Sequence, residues 1–145
     1  MHLTASFALA LSAAFGVNQT AAVALPAPMP EVQTVDEYVR DYYADTPVLA
    51  EIAKCESRMR QFDNDGNVLK NPDSSAVGIM QIMYSIHDPV ADKLGIDIKT
   101  IQGNLAYAKF LYNEKGTAPW NASKACWGKK VTSPKDAPVV AANIK

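Results

Sequence analysis

Cys55-Glu56-Ser57-Arg58 and Gly78-Ile79-Met80-Gln81-Ile82 are the stretches of this chain whose residue types and spacing suit chemistry. Glu56 is a carboxylic acid at the end of a short amphipathic segment. An acid carried on the buried side of a helix loses hydration, which disfavours its charged form. It then holds a proton near neutral pH and can give it to a leaving oxygen. The Gly-led strip follows about twenty residues later. With its single Gln, it offers backbone groups and one amide along a long polar substrate such as a polysaccharide. The alternative for Glu56 is a helix-end carboxylate paired in solvent with Arg58 or Arg60.

Other chemistries find less support. There is no Gly-Lys-Ser/Thr phosphate loop, nucleophile elbow or His-rich metal pattern. A Cys–His pair from Cys55 and His87 is disfavoured because export, argued below, leaves Cys55 oxidised. Lone His87 reads as a surface or capping residue. Asp63-x-Asp65-x-Asn67 resembles a calcium loop only superficially. Gly66 falls at loop position four rather than six, and Ser74 stands where the bidentate Glu belongs, so a turn is expected. No metal and no cofactor are expected. A net charge of -1 gives no electrostatic support to a nucleic-acid partner.

The elements that must position Glu56 follow from periodicity and caps. Thr34 to Ala44 is expected as a helix with Val35, Tyr38, Val39 and Tyr42 on one side. Thr46-Pro47 supplies a hydroxyl cap and a first-turn proline for a helix from Val48 to Arg58. Leu49, Ile52, Ala53 and Glu56 then share one face, aimed at the core or at a cleft floor. Gln61 to Leu69 is expected as a β-hairpin around Asn64-Asp65-Gly66-Asn67. In the strip, Met80 and Ile82 alternate with Ile79 and Gln81, so one of these faces is core. Asp88-Pro89 opens a helix that runs to Leu94 and stops at Gly95. The longest helix spans Thr100 to Lys115 with an apolar stripe of Ile101, Leu105, Ala108 and Tyr112. Ala118-Pro119-Trp120 starts a last short helix reaching Cys126-Trp127. The expected fold class is mostly α, a small helical domain with one short β-hairpin beside the cleft.

The 145 residues suggest one domain. Residues 1–24 carry no Lys, Arg, Asp or Glu, Leu3 to Val17 is apolar, and Ala22-Val23-Ala24 fits the small-x-small rule. These residues are expected to be a secretory signal cleaved after Ala24. Its leading part lacks Lys and Arg, and an uncleaved helix or a disordered leader is the alternative. Residues 25–45 hold a linker with Pro26, Pro28 and Pro30 and then the first helix. Residues 46–128 form the domain, and the Lys-, Pro- and Ala-rich residues 129–145 are expected as a disordered tail. Nothing after the N-terminus is long enough to span a membrane. In an exported protein Cys55 and Cys126 pair; two buried free thiols are the alternative.

An ordered set of motifs carries a family resemblance. It comprises Cys55-Glu56-Ser57-Arg58, Ser74-Ser75-Ala76-Val77-Gly78-Ile79-Met80-Gln81-Ile82, Gly103-Asn104-x-x-Tyr107-Ala108-x-x-Leu111-Tyr112 and Pro119-Trp120-x-x-Ser123-x-x-Cys126-Trp127. Over about residues 46–128 this resembles the lytic transglycosylase-like domain of the lysozyme superfamily. The resemblance implies an α+β lysozyme-like fold and cleavage of the β-1,4 bond between N-acetylmuramic acid and N-acetylglucosamine in peptidoglycan. Glu56 would be general acid and then base, leaving a 1,6-anhydromuramoyl end. Gly78, Met80, Gln81 and Trp120 would line the cleft, with Asn104 opening the helix that bears Tyr107 and Tyr112. Ser57 and Ser75 would bond Glu56 or a sugar, with capping as the alternative for each. The two tyrosines would place hydroxyls near Glu56, though Tyr112 also fits core packing. Trp127 fits beside the disulfide. The family's usual Ala-Tyr-Asn-x-Gly segment is missing, and Trp120-x-x-Ser123 occupies about that place.

Glycosidases normally use two carboxylates. In lysozymes of the animal secretory type an Asp stands two residues before the corresponding Gly, where this chain has Ala76. A lone acid fits transglycosylation. A hydrolytic lysozyme using Asp63 or Asp73, and a non-catalytic peptidoglycan-binding module, are the alternatives. The expected protein is a monomer, exported to the periplasm, envelope or exterior, with glycan strands as partner.

Overall fold

Helix α1, Val35–Tyr42, starts at a capping box: the Glu37 N–H donates to Thr34 Oγ1, and the Thr34 N–H donates to the Glu37 carboxylate. It belongs to a computed structural model that describes residues 24–28 and 32–130. The expected signal 1–24 (except Ala24) and the tail 129–145 (except Lys129 and Lys130) lie outside the described residues. The elements that follow are α2 (Val48–Ser57), β1 (Ala76–Val77), β2 (Ile82–Met83), α3 (Tyr84–Lys93), α4 (Ile101–Lys115), a 3₁₀ segment (Ala118–Ser123) and α5 (Lys124–Trp127). The domain is small and mostly helical, with one short antiparallel sheet in which Ala76 faces Met83 and Val77 faces Ile82.

Helix α4 is the centre of the packing. Every residue from Gly103 to Ala108 is buried, so it shows burial nearly all round rather than the single stripe expected. The Tyr43 hydroxyl donates to the Leu105 carbonyl at 2.8 Å inside the core. Helix α2 packs as its pattern requires: Leu49, Ile52 and Ala53 are fully buried and Glu56 follows on the same face. Thr46 does not cap it. The Leu49 N–H uses the Thr46 carbonyl instead, and the Thr46 hydroxyl is held by Asp45 and Lys109.

Two expected elements are built differently. Gln61–Leu69 closes on a single bridge, Phe62 with Val68, instead of a hairpin of two strands. Its tip is tied by the Asp63 carboxylate, which accepts from the N–H groups of Asp65 and Asn67. That is the turn expected of these residues. Phe62 stays 45% exposed, so no core face rewards a longer ladder. Helix α3 starts at Tyr84, earlier than Asp88, with Pro89 inside it. Its start is set from outside: the Tyr84 N–H donates to the Ser75 carbonyl and the Ser85 N–H to Ser75 Oγ. Pro89 is its sixth residue, so it lies past the first turn and withdraws one donor from the helix.

The strip at Gly78–Ile82 is also not one strand: only Ile82 belongs to β2. Residues 78–81 turn between β1 and β2, and Ile79, Met80 and Ile82 are all buried. The Ile79 N–H donates to Gln61 Oε1 at 2.9 Å, and the Met80 N–H to Asn104 Oδ1 at 2.8 Å. Gly78 makes this approach possible. It has φ of +74°, and a Cβ there would lie 2.4 Å from Asn104 Nδ2 and 2.7 Å from Gln61 Oε1.

Candidate active site

Glu56 is half-buried in the last turn of α2. Its carboxylate accepts a 2.5 Å hydrogen bond from Ser123 Oγ. Ser123 is held in turn: Trp127 Nε1 donates to Ser123 Oγ and to the Trp120 carbonyl, each at 3.1 Å. The Cys55–Cys126 disulfide, with Cα atoms 6.0 Å apart, joins the residue before Glu56 to the helix just after Ser123. Burial raises the Glu56 pKa above the ordinary carboxylate value, and the Ser123 hydrogen bond partly opposes it. Glu56 makes no ion pair with Arg58 or Arg60 among the described residues. Arg60 Nε instead donates to the Ser57 carbonyl.

Glu56 opens into a hollow of about 400 Å³, lined also by Arg58, Arg60, Lys70, Asn71 and Gln81. Lys70 and Asn71 also line a neighbouring hollow of about 670 Å³ that contains Ser75, Tyr84 and Lys99. Gln81 is shared with a third, of about 320 Å³, that contains Met83, His87 and Lys115. The Glu56 hollow thus shares lining residues with a hollow on either side. A separate hollow of about 690 Å³ between α1, α4 and Ala24–Leu25 shares no residue with them.

Backbone strain is concentrated here. Arg58, Met59 and Gln81 are the described non-glycine residues with positive φ, at 58°, 62° and 50°. Each such conformation costs about 1 kcal/mol or more and persists because the surroundings impose it. Two of the three, Arg58 and Gln81, line the Glu56 hollow.

The structure sorts the residues expected at the site. Gln81 lines the hollow, with its Nε2 held by the Gly78 carbonyl at 2.8 Å. Ser75 lies in the neighbouring hollow, 2.7 Å from Ser85 Oγ, and its oxygen caps α3. Ser57 is buried and bonds the Ala53 carbonyl and the Arg60 N–H, so it is a helix-end cap and does not reach Glu56. Gly78 and Met80 are buried, and the Gly78, Ile79 and Met80 N–H groups all serve the protein itself, leaving none of these three for a substrate. Asn104 is fully buried, holding the Met80 N–H and the Val77 and Ile98 carbonyls. Trp120 is 3% exposed, and its Nε1 donates to the Met80 carbonyl at 3.0 Å. A ring so enclosed offers no open face for stacking on a sugar. Tyr107 directs its hydroxyl to His87 Nδ1 at 3.1 Å rather than to Glu56. Tyr112 is buried in the core.

Ser123 and His87 were undervalued from sequence. Ser123 had a signal: it lies three residues before Cys126, whose partner Cys55 adjoins Glu56. His87 is half-buried beside Gln81, and burial, with the Lys115 charge, lowers its pKa. Only the Tyr107 contact across α3 and α4 reveals that place. Asp63 and Asp73 do not line the Glu56 hollow, and Ala76 is buried in β1. Compared with protein-family models, curated proteins and solved structures, the chain matches none.

Proposed function

We propose that this chain is a peptidoglycan lytic transglycosylase with a lysozyme-like fold, acting through Glu56. The observation that carries the reading is the setting of Glu56: a half-buried acid opening into a hollow lined by no second carboxylate. Burial favours the protonated form needed to start the reaction. Glu56 gives its proton to the glycosidic oxygen as the muramoyl C1–O bond breaks. The substrate's own acetamido oxygen bonds to C1 and carries the positive charge. The muramoyl 6-hydroxyl then attacks C1, and the Glu56 carboxylate takes the hydroxyl proton. A 1,6-anhydro ring closes, the acetamido group is released, and Glu56 regains its proton. No water is consumed, so no second carboxylate is needed to activate one.

The remaining groups support this cycle. Ser123 orients the carboxylate, and the disulfide holds α2 against α5 around that contact. Gln81 lines the hollow with its Nε2 already held by the Gly78 carbonyl, which leaves its Oε1 as the atom suited to an acetamido N–H. A hydrolytic route through Asp63 is less well supported, because that carboxylate holds its own turn. The disulfide fits a protein exported by the signal at residues 1–24, and no described helix is long and apolar enough to cross a membrane.

Mass spectrometry of peptidoglycan digested by residues 25–145 tests the reading. Anhydromuramoyl ends are expected, and Glu56→Gln should lose cleavage while keeping the fold and glycan binding. Reducing ends would make the protein a hydrolase. No product would make it a binding module, and retained activity in the variant would remove Glu56 from the chemistry.

A further inference from the structure

The charges around Glu56 do not match those of the whole chain. The net charge is -1. Yet the Glu56 hollow and its neighbour together contain Arg58, Arg60, Lys70 and Lys99 against the single acid Glu56. In the neighbouring hollow, Lys70 and Lys99 are accompanied by amide and hydroxyl side chains (Asn71, Ser74, Ser75, Tyr84) and by no carboxylate. Neither lysine forms a salt bridge among the described residues. Lys99 Nζ stands 4.7 Å above the Tyr84 ring centroid, which fixes its position without neutralising it. Asp88 and Asp97 act on Lys99 from a distance but do not line the hollow. A concave surface with cations of one sign focuses its field on an anion. The glycan backbone itself is neutral, so it offers these lysines hydrogen-bond acceptors but no counter-charge.

What lies beside the scissile bond in peptidoglycan is the lactyl group of muramic acid, extended by a short peptide with free carboxylates. We propose that the hollow holding Lys70 and Lys99 binds this acidic peptide substituent, so that peptide-bearing strands are preferred over stripped ones. The proposal rests on the glycan reading above. It assigns the hollow that shares Lys70 and Asn71 with the Glu56 hollow to the substituent and leaves the one that shares Gln81 to the sugar chain. The hollow of about 670 Å³ has room for a short peptide.

Binding and cleavage test it separately. Titration calorimetry on the Glu56→Gln protein would use a muramoyl peptide with free carboxylates and the same compound with its carboxylates amidated. The free acid should bind more tightly. Joint replacement Lys70→Gln and Lys99→Gln should weaken the free acid about fivefold, the scale of two exposed ion pairs, and remove the difference between the ligands. The Lys70→Arg and Lys99→Arg pair should keep the difference, which separates loss of charge from loss of fold. In cleavage assays, the rate ratio of peptide-bearing to amidase-stripped strands should fall towards one in the Gln pair. Equal binding of the two ligands by the parent protein, or a ratio unchanged in the Gln pair, overturns the proposal. Absence of anhydro products from both substrates overturns the transglycosylase reading, while the calorimetry still decides the peptide site.

Discussion

Replacing Ser123 by Ala removes the hydroxyl that donates to Glu56 at 2.5 Å. The change is otherwise small, because Trp127 Nε1 keeps the Trp120 carbonyl at 3.1 Å and is not orphaned. A hydrogen bond to a charged group has a net value of about 1.5–3 kcal/mol. Both partners here are half-exposed, so the lower end applies, and about 1.5 kcal/mol corresponds to roughly tenfold in rate. The pH dependence carries the sharper signature. In the proposed cycle Glu56 must be protonated to begin the reaction, so activity should fall on the alkaline side as it ionises. Burial raises its pKa, and the Ser123 bond lowers it by stabilising the carboxylate. Without that bond the alkaline limb should move to higher pH while the optimum rate drops. The assay is release of soluble muropeptides across pH 4–9, with unfolding followed in parallel. Ser123→Thr, which keeps a hydroxyl, should restore both features. An alkaline limb that stays put or moves down, with the protein folded, would refute the link between Ser123 and Glu56.

Removing the disulfide by Cys55→Ser and Cys126→Ser should destabilise the domain by about 4 kcal/mol, because the bond closes a sequence separation of 71 residues. Urea unfolding of the two forms measures it. Asn104→Asp keeps the acceptor for the Met80 N–H but withdraws both donors from the Val77 and Ile98 carbonyls and buries a charge. A loss of about 3–5 kcal/mol is expected at neutral pH, easing in acid as the new carboxyl protonates, and thermal unfolding against pH reports it. Glu56→Gln should change how stability depends on pH. The folded pKa of Glu56 lies above the ordinary carboxylate value of 4.5, so its favourable contribution is full below that value and is lost as pH rises through the folded pKa. The variant should lack this decline and gain relative to the parent at pH 7; equal pH profiles would count against burial of the acid.

Much of the fold was legible in neighbouring residues. The apolar spacing of α1 and α2, the Gly95 stop, the end of α4 at Lys115 and the turn at Asp63 all appear as expected. These features depend on residues a few positions apart, and local geometry is what periodicity and turn chemistry encode. The same spacing put Glu56 on the core-facing side of α2, and the cysteine count pointed to the Cys55–Cys126 bond.

Tertiary structure decided what each polar group near Glu56 does. Periodicity offered the Gly78 strip as an alternating strand, but its buried N–H groups needed partners. They found them in Gln61 and Asn104, 18 and 24 residues away in sequence. Trp120 was available for a sugar until its indole N–H bonded Met80 across 40 residues. Ser123 meets Glu56 across 67. A buried donor or acceptor must be satisfied by whatever the packing brings near it, and that requirement is global. The sequence by itself therefore named the acid and the helix face that carries it. Only the folded chain determined that Ser123 holds it, that Trp120 and Asn104 hold the Met80 backbone instead of a sugar, and that basic side chains line its opening.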